Sequence, residues 1–534
     1  MSSMIVAPEP AAVEAGAEVL QKGGNAIDAA VTAAFAQAVV NPQMCGLGGY
    51  LLLNLRLADG RSFTLDAPAL AGAKVTPTMW QDIVIGPNPF GWGYFLQGKV
   101  NDLGYQAICT PGWVKGMAEI LARWGSLSWA ETMAPAVRLA DEGFMVTEHL
   151  AARWKYERLY QEESTLLDYI TANPEASRIY LKESGPYNAG ETLRNPDYAW
   201  TLRRLAERGP EDFYQGELAQ QIATDLATND SFVTAEDLAG YRFQDVAPVV
   251  GSYRGYKIVT VGPPHGGPTL LAILNILEGY DLAALEHNSA DYIYLVAMAM
   301  KAAFADRNPY LGDPNFVEVP LAWMTSKERA AEWRQQIDAG QPINVAFNVT
   351  EPPDTTHVTV VDQAGNCVAL THSLGSSSGV ITPGLGFIYN NSMVNFHPWP
   401  GHPNSIAPGK GRTTGMAPAI IFKDDKPVLV IGSPGATRII TANLQVILNH
   451  LDFGMSIQEA VLAPRFDCQG DVIKCQARIP EMICAQVRPK HPIQRLPQSH
   501  GGFALVHAIA IDPASSRLSG GADTGSDGMA LAVG

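Results

Sequence analysis

The stretch Asp354-Thr355-Thr356-His357-Val358-Thr359-Val360-Val361-Asp362 decides how the rest of this 534-residue chain is read. Thr356 to Asp362 alternates like a strand, Gln363-Ala364-Gly365-Asn366 supplies a turn, and Cys367 to Leu374 reads as a second strand. Taken alone, this is an ordinary hairpin whose threonines fill a half-buried face. It carries chemistry only if the chain is cut before a hydroxyl residue. The freed α-amine then serves as general base for the side chain of the same residue. Pro352-Pro353 breaks the chain just ahead of Asp354, and the sequence changes character there from helical to strand-rich.

Working outward, Gly23-Gly24 precedes Asn25, a good N-cap for an Ala-rich helix from Ala26 to about Val40 that Pro42 stops. Gly46-Leu47-Gly48-Gly49 leads into Tyr50–Leu55, which reads as a buried strand. From 112 to about 345 the pattern is mainly helical, interrupted by the turn-rich Gly262-Pro263-Pro264-His265-Gly266-Gly267-Pro268. Further strand signals lie at Gly386–Asn390, Ala419–Phe422 and Val428–Gly432, and 395–412 reads as a long ordered loop near a site. Helices outside and sheets inside describe a layered α/β sandwich.

Composition bounds the function. Apolar residues make up 47% and charged residues 17%, which suits a compact protein with a generous core. A net charge of −16 argues against a nucleic-acid partner, because polyanion binding needs a basic face. The six cysteines form no Cys-x-x-Cys pair and are expected as buried apolar residues; neither a metal site nor a cofactor is expected. No run is long and apolar enough to span a membrane, and no signal peptide is legible at the N-terminus. A cytoplasmic enzyme is the expectation, or a periplasmic or secreted one if a leader has been removed.

Several motifs then fall in a telling order. They are Gly23-Gly24-Asn25-Ala26-Ile27-Asp28-Ala29-Ala30-Val31, the glycine turn Pro42–Gly49, Pro111-Gly112 with Gly116, and Phe213-Tyr214-Gln215-Gly216. Asp237-Leu238 with Tyr241-Arg242, Tyr253-Arg254-Gly255-Tyr256 and Ala305-Asp306-Arg307 follow. The series ends with Thr355-Thr356-His357, Gly432-Ser433-Pro434-Gly435-Ala436, Ala463-Pro464-Arg465-Phe466 and Gly521-Ala522-Asp523. In this order the chain resembles the γ-glutamyltranspeptidase superfamily of N-terminal nucleophile hydrolases over nearly its whole length.

The resemblance implies a four-layer αββα sandwich, α/β (α+β) in class, built by two subunits of one precursor. Self-cleavage between Asp354 and Thr355 would give a large subunit 1–354 and a small subunit 355–534. Thr355 would then attack a substrate amide and form an acyl-enzyme, released to water or an amine. By the same match Ser373 orients the nucleophile, and the N–H groups of Gly435 and Ala436 form the oxyanion hole. The other implied partner is a small-molecule amide, with a homo-oligomer of the heterodimer possible. His357 is expected to be structural, since the Thr355 amine already supplies the base.

Substrate-binding positions depart from the family pattern. The Arg that grips the glutamyl α-carboxylate falls on Pro68, the Asp for the α-ammonium on Asn395, and the accompanying Asn and Gln on Gly375 and Ser392. A serine pair falls on Thr414-Gly415, which keeps one hydroxyl. Losing one buried charge partner commonly costs about 2–5 kcal/mol, so γ-glutamyl selectivity is in doubt unless Lys410 or Arg412 compensates. The small residues Gly375–Gly379 and the nearby Phe396, His397 and Trp399 suggest room for another acyl group, such as a dicarboxylic side chain or a small amide. Two alternatives stay open: a genuine γ-glutamyl hydrolase or transferase acting on glutathione and its conjugates, and an inactive binding homologue.

Overall fold

The computed structural model describes residues 2–88, 93–156, 162–347 and 354–534; the Pro352-Pro353 break lies outside them. The hairpin forms as read, with strands Thr356–Val361 and Cys367–Ser373 each one residue shorter than expected. Its register runs from Thr356 opposite His372 to Val361 opposite Cys367. Every residue of both strands is buried. Gly365, at φ 91°, turns the hairpin, and the Asp362 carboxylate accepts the Asn366 N–H at 2.9 Å.

The hairpin occupies the middle of a seven-stranded sheet. On one side follow Tyr50–Arg56, Ser62–Ala67 and Gln244–Val246, and on the other Ser3–Ala7 and Met529–Val533. A second sheet has six strands in the order Val249–Tyr253, Tyr256–Thr260, Ala419–Lys423, Lys426–Gly432, His507–Ile511 and Leu518–Ala522. An apolar layer of Met4, Val6, Cys367 and Ala369 from the first sheet meets Val259, Ile420, Val430 and Ile509 from the second. Helices Pro10–Gln21, Ala26–Val40 and Trp113–Trp124 cover the outer face of the first sheet. Gly267–Leu277, Ala290–Tyr310 and Arg438–Leu451 cover the second, which completes the αββα sandwich.

Helix Ala26–Val40 shows why the local sequence suffices for some elements. Asn25 Oδ1 accepts the N–H groups of Ile27 and Asp28, and Asp28 Oδ2 accepts the Asn25 N–H at 2.9 Å, a reciprocal cap. The Ala26 N–H goes to Asp362 Oδ2 at 2.9 Å, which fastens the helix start to the far end of the strand Thr356–Val361.

The mainly helical segment 112–345 also gives one strand to the first sheet and the edge hairpin Val249–Tyr253/Tyr256–Thr260 to the second. That hairpin turns on Arg254 (φ 47°) and Gly255 (φ 77°), a two-residue turn matched to strand twist. Gly386–Asn390 is not a strand; Gly384 and Gly386 have positive φ, and only an isolated bridge joins Gly48 to Tyr389. All six cysteines are free and buried.

Candidate active site

Thr355 stands at the threshold of strand Thr356–Val361, so its neighbours are set by the hairpin register. Alternation places Thr355, His357 and Thr359 on the face toward the second sheet, with Thr356 on the helix face. Ser373 closes the partner strand beside it. The Thr355 hydroxyl lies 2.7 Å from the carbonyl oxygen of Asp354 and 3.1 Å from Ser373 Oγ. Ser373 Oγ donates to the same Asp354 carbonyl at 2.7 Å and accepts the Gly375 N–H at 2.9 Å. One buried carbonyl therefore receives two hydroxyls, one of them belonging to the very next residue.

Asp354 is itself fixed. Its carboxylate pairs with the Arg153 guanidinium and accepts the Ser376 hydroxyl at 2.7 Å. Neither Arg153 nor Ser376 was legible as a site residue, since the first lies about two hundred residues away in sequence and the second in a run of small residues.

His357 is structural, as its hydrogen bonds establish. The Thr359 hydroxyl donates to the His507 carbonyl, so it must accept from His357 Nε2 at 2.9 Å. Nδ1 is then the acceptor for the Thr371 hydroxyl at 2.8 Å. Burial, then the neighbouring His507 and His372, push the imidazole well below its usual pKa. It is a neutral strut. A Cβ on Gly432 would collide with this ring, so the strand Lys426–Gly432 ends directly against it.

That contact delivers the turn Gly432–Ala436 to the hairpin. Gly435 has φ 136°, and a Cβ there would reach 2.5 Å from Ala504 Cα, so only glycine fits. Ala436 adopts φ 60°, the left-handed region, which costs an L-residue roughly 1–2 kcal/mol. The turn opens helix Arg438–Leu451, whose N-terminal dipole favours negative charge nearby.

Thr414-Gly415 reaches the same place: a Cβ on Gly415 would overlap the backbone of Ala436 and Thr437. The Thr414 hydroxyl meets His265 Nδ1 at 2.8 Å, and His265 Nε2 meets the Asp66 carboxylate at 2.8 Å. This buried Asp66–His265–Thr414 chain was not foreseen; the proline-glycine turn around His265 reads locally as a loop. Arg307 adds a bond to the Thr414 carbonyl at 3.0 Å.

On the opposite face, Glu9 accepts from Thr356 Oγ at 3.0 Å, from Gln37 at 2.7 Å and from Asn41 at 2.6 Å. Burial nevertheless raises its carboxyl pKa. His372 accepts from Trp113 Nε1 at 3.0 Å and meets Gln37 Oε1 at 2.8 Å, and burial lowers it to about 3.

The remaining expected positions divide. Ser392 and Asn395 sit buried in a short 3-10 turn; the Ser392 N–H goes to Asn390 Oδ1 at 3.1 Å, and the Asn395 carbonyl accepts from Asn404 at 2.6 Å. Gly375 has φ 75°, and a Cβ there would strike Asn391 Oδ1, which explains why no side chain occupies it. The expectation that Gly375–Gly379 opens a pocket is not met. Ser376 bonds Asp354, Ser378 bonds the Tyr389 carbonyl at 3.0 Å, and Gly379 packs on the Tyr169 backbone. Phe396 is core, 1% exposed. His397 stacks on His402 with ring centroids 4.3 Å apart, and Trp399 meets Tyr94 edge-on. Small residues made room for backbone to pack rather than for a ligand. A cavity of about 40 Å³ touches Ser376 and Val394, whereas a larger hollow of about 540 Å³ lies along Val250–Ser252, Lys257 and Lys327, apart from these residues.

Comparison with known proteins agrees with this architecture. The family model described as Gamma-glutamyltranspeptidase matches residues 12–533. The chain is 39% identical over 539 residues to the Acylase ACY 1 proenzyme of Pseudomonas sp. (strain V22), covering 99% of this chain and 93% of the relative. It is 36% identical over 488 residues to the Glutathione hydrolase proenzyme of Escherichia coli (strain K12), covering 87% and 81%. The crystal structure of cephalosporin acylase from Bacillus halodurans superposes with a TM-score of 0.86 at 29% identity, covering 99% of this chain and 95% of that one. The chain therefore belongs to the γ-glutamyltranspeptidase family and is an enzyme of that family.

Proposed function

We propose that this protein is a self-processing amide hydrolase or acyl transferase acting through Thr355, with an acyl group other than γ-glutamyl. The convergence of the Thr355 and Ser373 hydroxyls on the Asp354 carbonyl carries this reading. In the precursor, Thr355 Oγ attacks the carbonyl carbon of Asp354. Ser373 donates to the oxygen that gains charge, and the chain passes through an ester that water opens. The products are a large subunit 1–354 and a small subunit 355–534. The freed amine of Thr355 then takes the hydroxyl proton as Oγ attacks a substrate amide, and returns it to the departing amine. The N–H groups of Gly435 and Ala436 stabilise the tetrahedral oxyanion at the mouth of a helix N-terminus.

Relatives named as proenzymes support the processing step, and relatives named as acylases support an acyl group that is not γ-glutamyl. Asn395 and Pro68, neutral where the family pattern carries charge, point the same way. The test has two arms. Wild type gives two bands on a denaturing gel and Thr355→Ala gives one; intact wild type with full amidase activity would sink the reading. Matched acyl anilides then compare γ-glutamyl with other acyl groups, and a preference for γ-glutamyl would return the protein to glutathione chemistry.

A further inference from the structure

We infer that Glu9 is a positioning residue: it clamps Thr356, and so keeps Thr355 in place once the chain before Thr355 has been cut. This rests on the proposed self-cleavage at Thr355.

Cleavage would change what holds the nucleophile. In the precursor Thr355 is an internal residue, tethered by peptide bonds on both sides. In the processed enzyme it would be the first residue of a chain, one position ahead of the first ladder pair, Thr356 with His372. Chain ends fray unless pairing or side chains tie them down. Asp354, whose carbonyl the Thr355 hydroxyl meets at 2.7 Å, would belong to the other fragment. The side chain of Thr356 is then the nearest anchor on the helix face.

Glu9 grips that anchor from the proposed large subunit. The strand Ser3–Ala7 pairs with Thr356–Val361 so that Met4 faces Val361 and Val6 faces Thr359. The same antiparallel register, continued, brings position 9 opposite position 356. The Thr356 hydroxyl lies 3.0 and 3.1 Å from the two oxygens of the Glu9 carboxylate. Glu9 is itself fixed. Its carboxylate accepts from Asn41 Nδ2 at 2.6 Å and Gln37 Nε2 at 2.7 Å, and its carbonyl accepts the Ala12 and Val13 N–H groups that open the helix Pro10–Gln21.

Neutral His372 sets the direction of these bonds. Trp113 Nε1 can only donate, so His372 Nδ1 accepts and Nε2 donates to Gln37 Oε1 at 2.8 Å. That turns the Gln37 amide nitrogen toward Glu9, toward Thr356 Oγ at 2.9 Å and toward the His357 carbonyl at 3.2 Å. Thr356 Oγ therefore accepts from Gln37 and donates to Glu9. Glu9, Gln37, Thr356 and His372 are all buried, where a charge-assisted bond is strong and a connected network rigid.

The test separates processing from turnover. Glu9→Gln and Thr356→Val each disrupt the carboxylate–hydroxyl contact. Both cleave close to the wild-type rate, because the 354–355 peptide tethers Thr355 until it is cut. Once processed, each loses about 10- to 100-fold in kcat on an acyl p-nitroanilide that wild type turns over, the cost of a misplaced nucleophile, while KM changes little. Thr356→Ser, which keeps the hydroxyl, restores kcat. The double variant loses scarcely more than either single one, because both act on one contact. Thermal melting checks the fold, and Thr356→Val carries the test should Glu9→Gln not fold. Undiminished kcat in the processed variants overturns the inference, as does processing that slows in step with kcat or a Thr356→Ser that fails to restore it. A wild type that never processes overturns the Thr355 reading, and the clamp with it.

Discussion

Replacing Ser373 by alanine removes a hydroxyl that meets Thr355 Oγ at 3.1 Å and makes two further contacts around the Asp354–Thr355 peptide. It donates to the Asp354 carbonyl at 2.7 Å and accepts the Gly375 N–H at 2.9 Å. In the proposed self-cleavage the Asp354 carbonyl oxygen would become the oxyanion, so the lost donor would act on the transition state more than on the ground state. Removing one such donor costs about 100- to 1,000-fold in rate. The cost in stability is smaller, about 1–3 kcal/mol for the buried Gly375 N–H left without its acceptor, against a total of about 5–15 kcal/mol. Ser373→Ala is therefore expected to fold and to accumulate as the single-chain precursor. Ser373→Thr restores the hydroxyl and the processing. The assay follows the two fragments on a denaturing gel over time, with thermal melting as the control for fold. Ser373→Ala maturing at the wild-type rate would refute the assignment, because the Asp354 carbonyl would then need no help from this side chain.

Ala436→Gly relieves the left-handed φ of 60° and should stabilise the protein by about 1 kcal/mol, read from the urea midpoint; no gain would mean the turn is not strained. Gly432→Ala drives a methyl into the His357 ring, which Thr371 and Thr359 hold in place, and should cost about 1–3 kcal/mol on the same assay. Burial holds His357 well below the ordinary imidazole range, His507 at about 4 and His372 at about 3. The unfolded chain takes up these protons near pH 6.5 while the folded chain does not, so stability is lost as pH falls below 6.5. By pH 5.5 each histidine forfeits about 1.4 kcal/mol. His372→Gln should therefore flatten the decline in stability between pH 7.5 and 5.5, and an unchanged slope would show that His372 is protonated in the fold.

The sequence by itself determined those elements whose instructions are local. Asn25 and Asp28 cap the helix to Val40 from within four residues, and the alternation after Thr355 with the Gly365 turn specifies the hairpin and its register. The family resemblance singled out Ser373, and the folded register, with Thr356 opposite His372, brings it beside Thr355. The rest needed the tertiary structure, because the partners lie far apart in the chain. Asp66, His265 and Thr414 meet only when both sheets and the proline-glycine turn are in place. Arg153 reaches Asp354, and Tyr50 orients Arg412, across similar separations. The glycine-serine run after Ser373 read as open space, yet positive φ at Gly375, Ser377 and Gly379 folds it into the protein. A small side chain records only that something comes close; whether that is a substrate or the chain's own backbone is decided by packing.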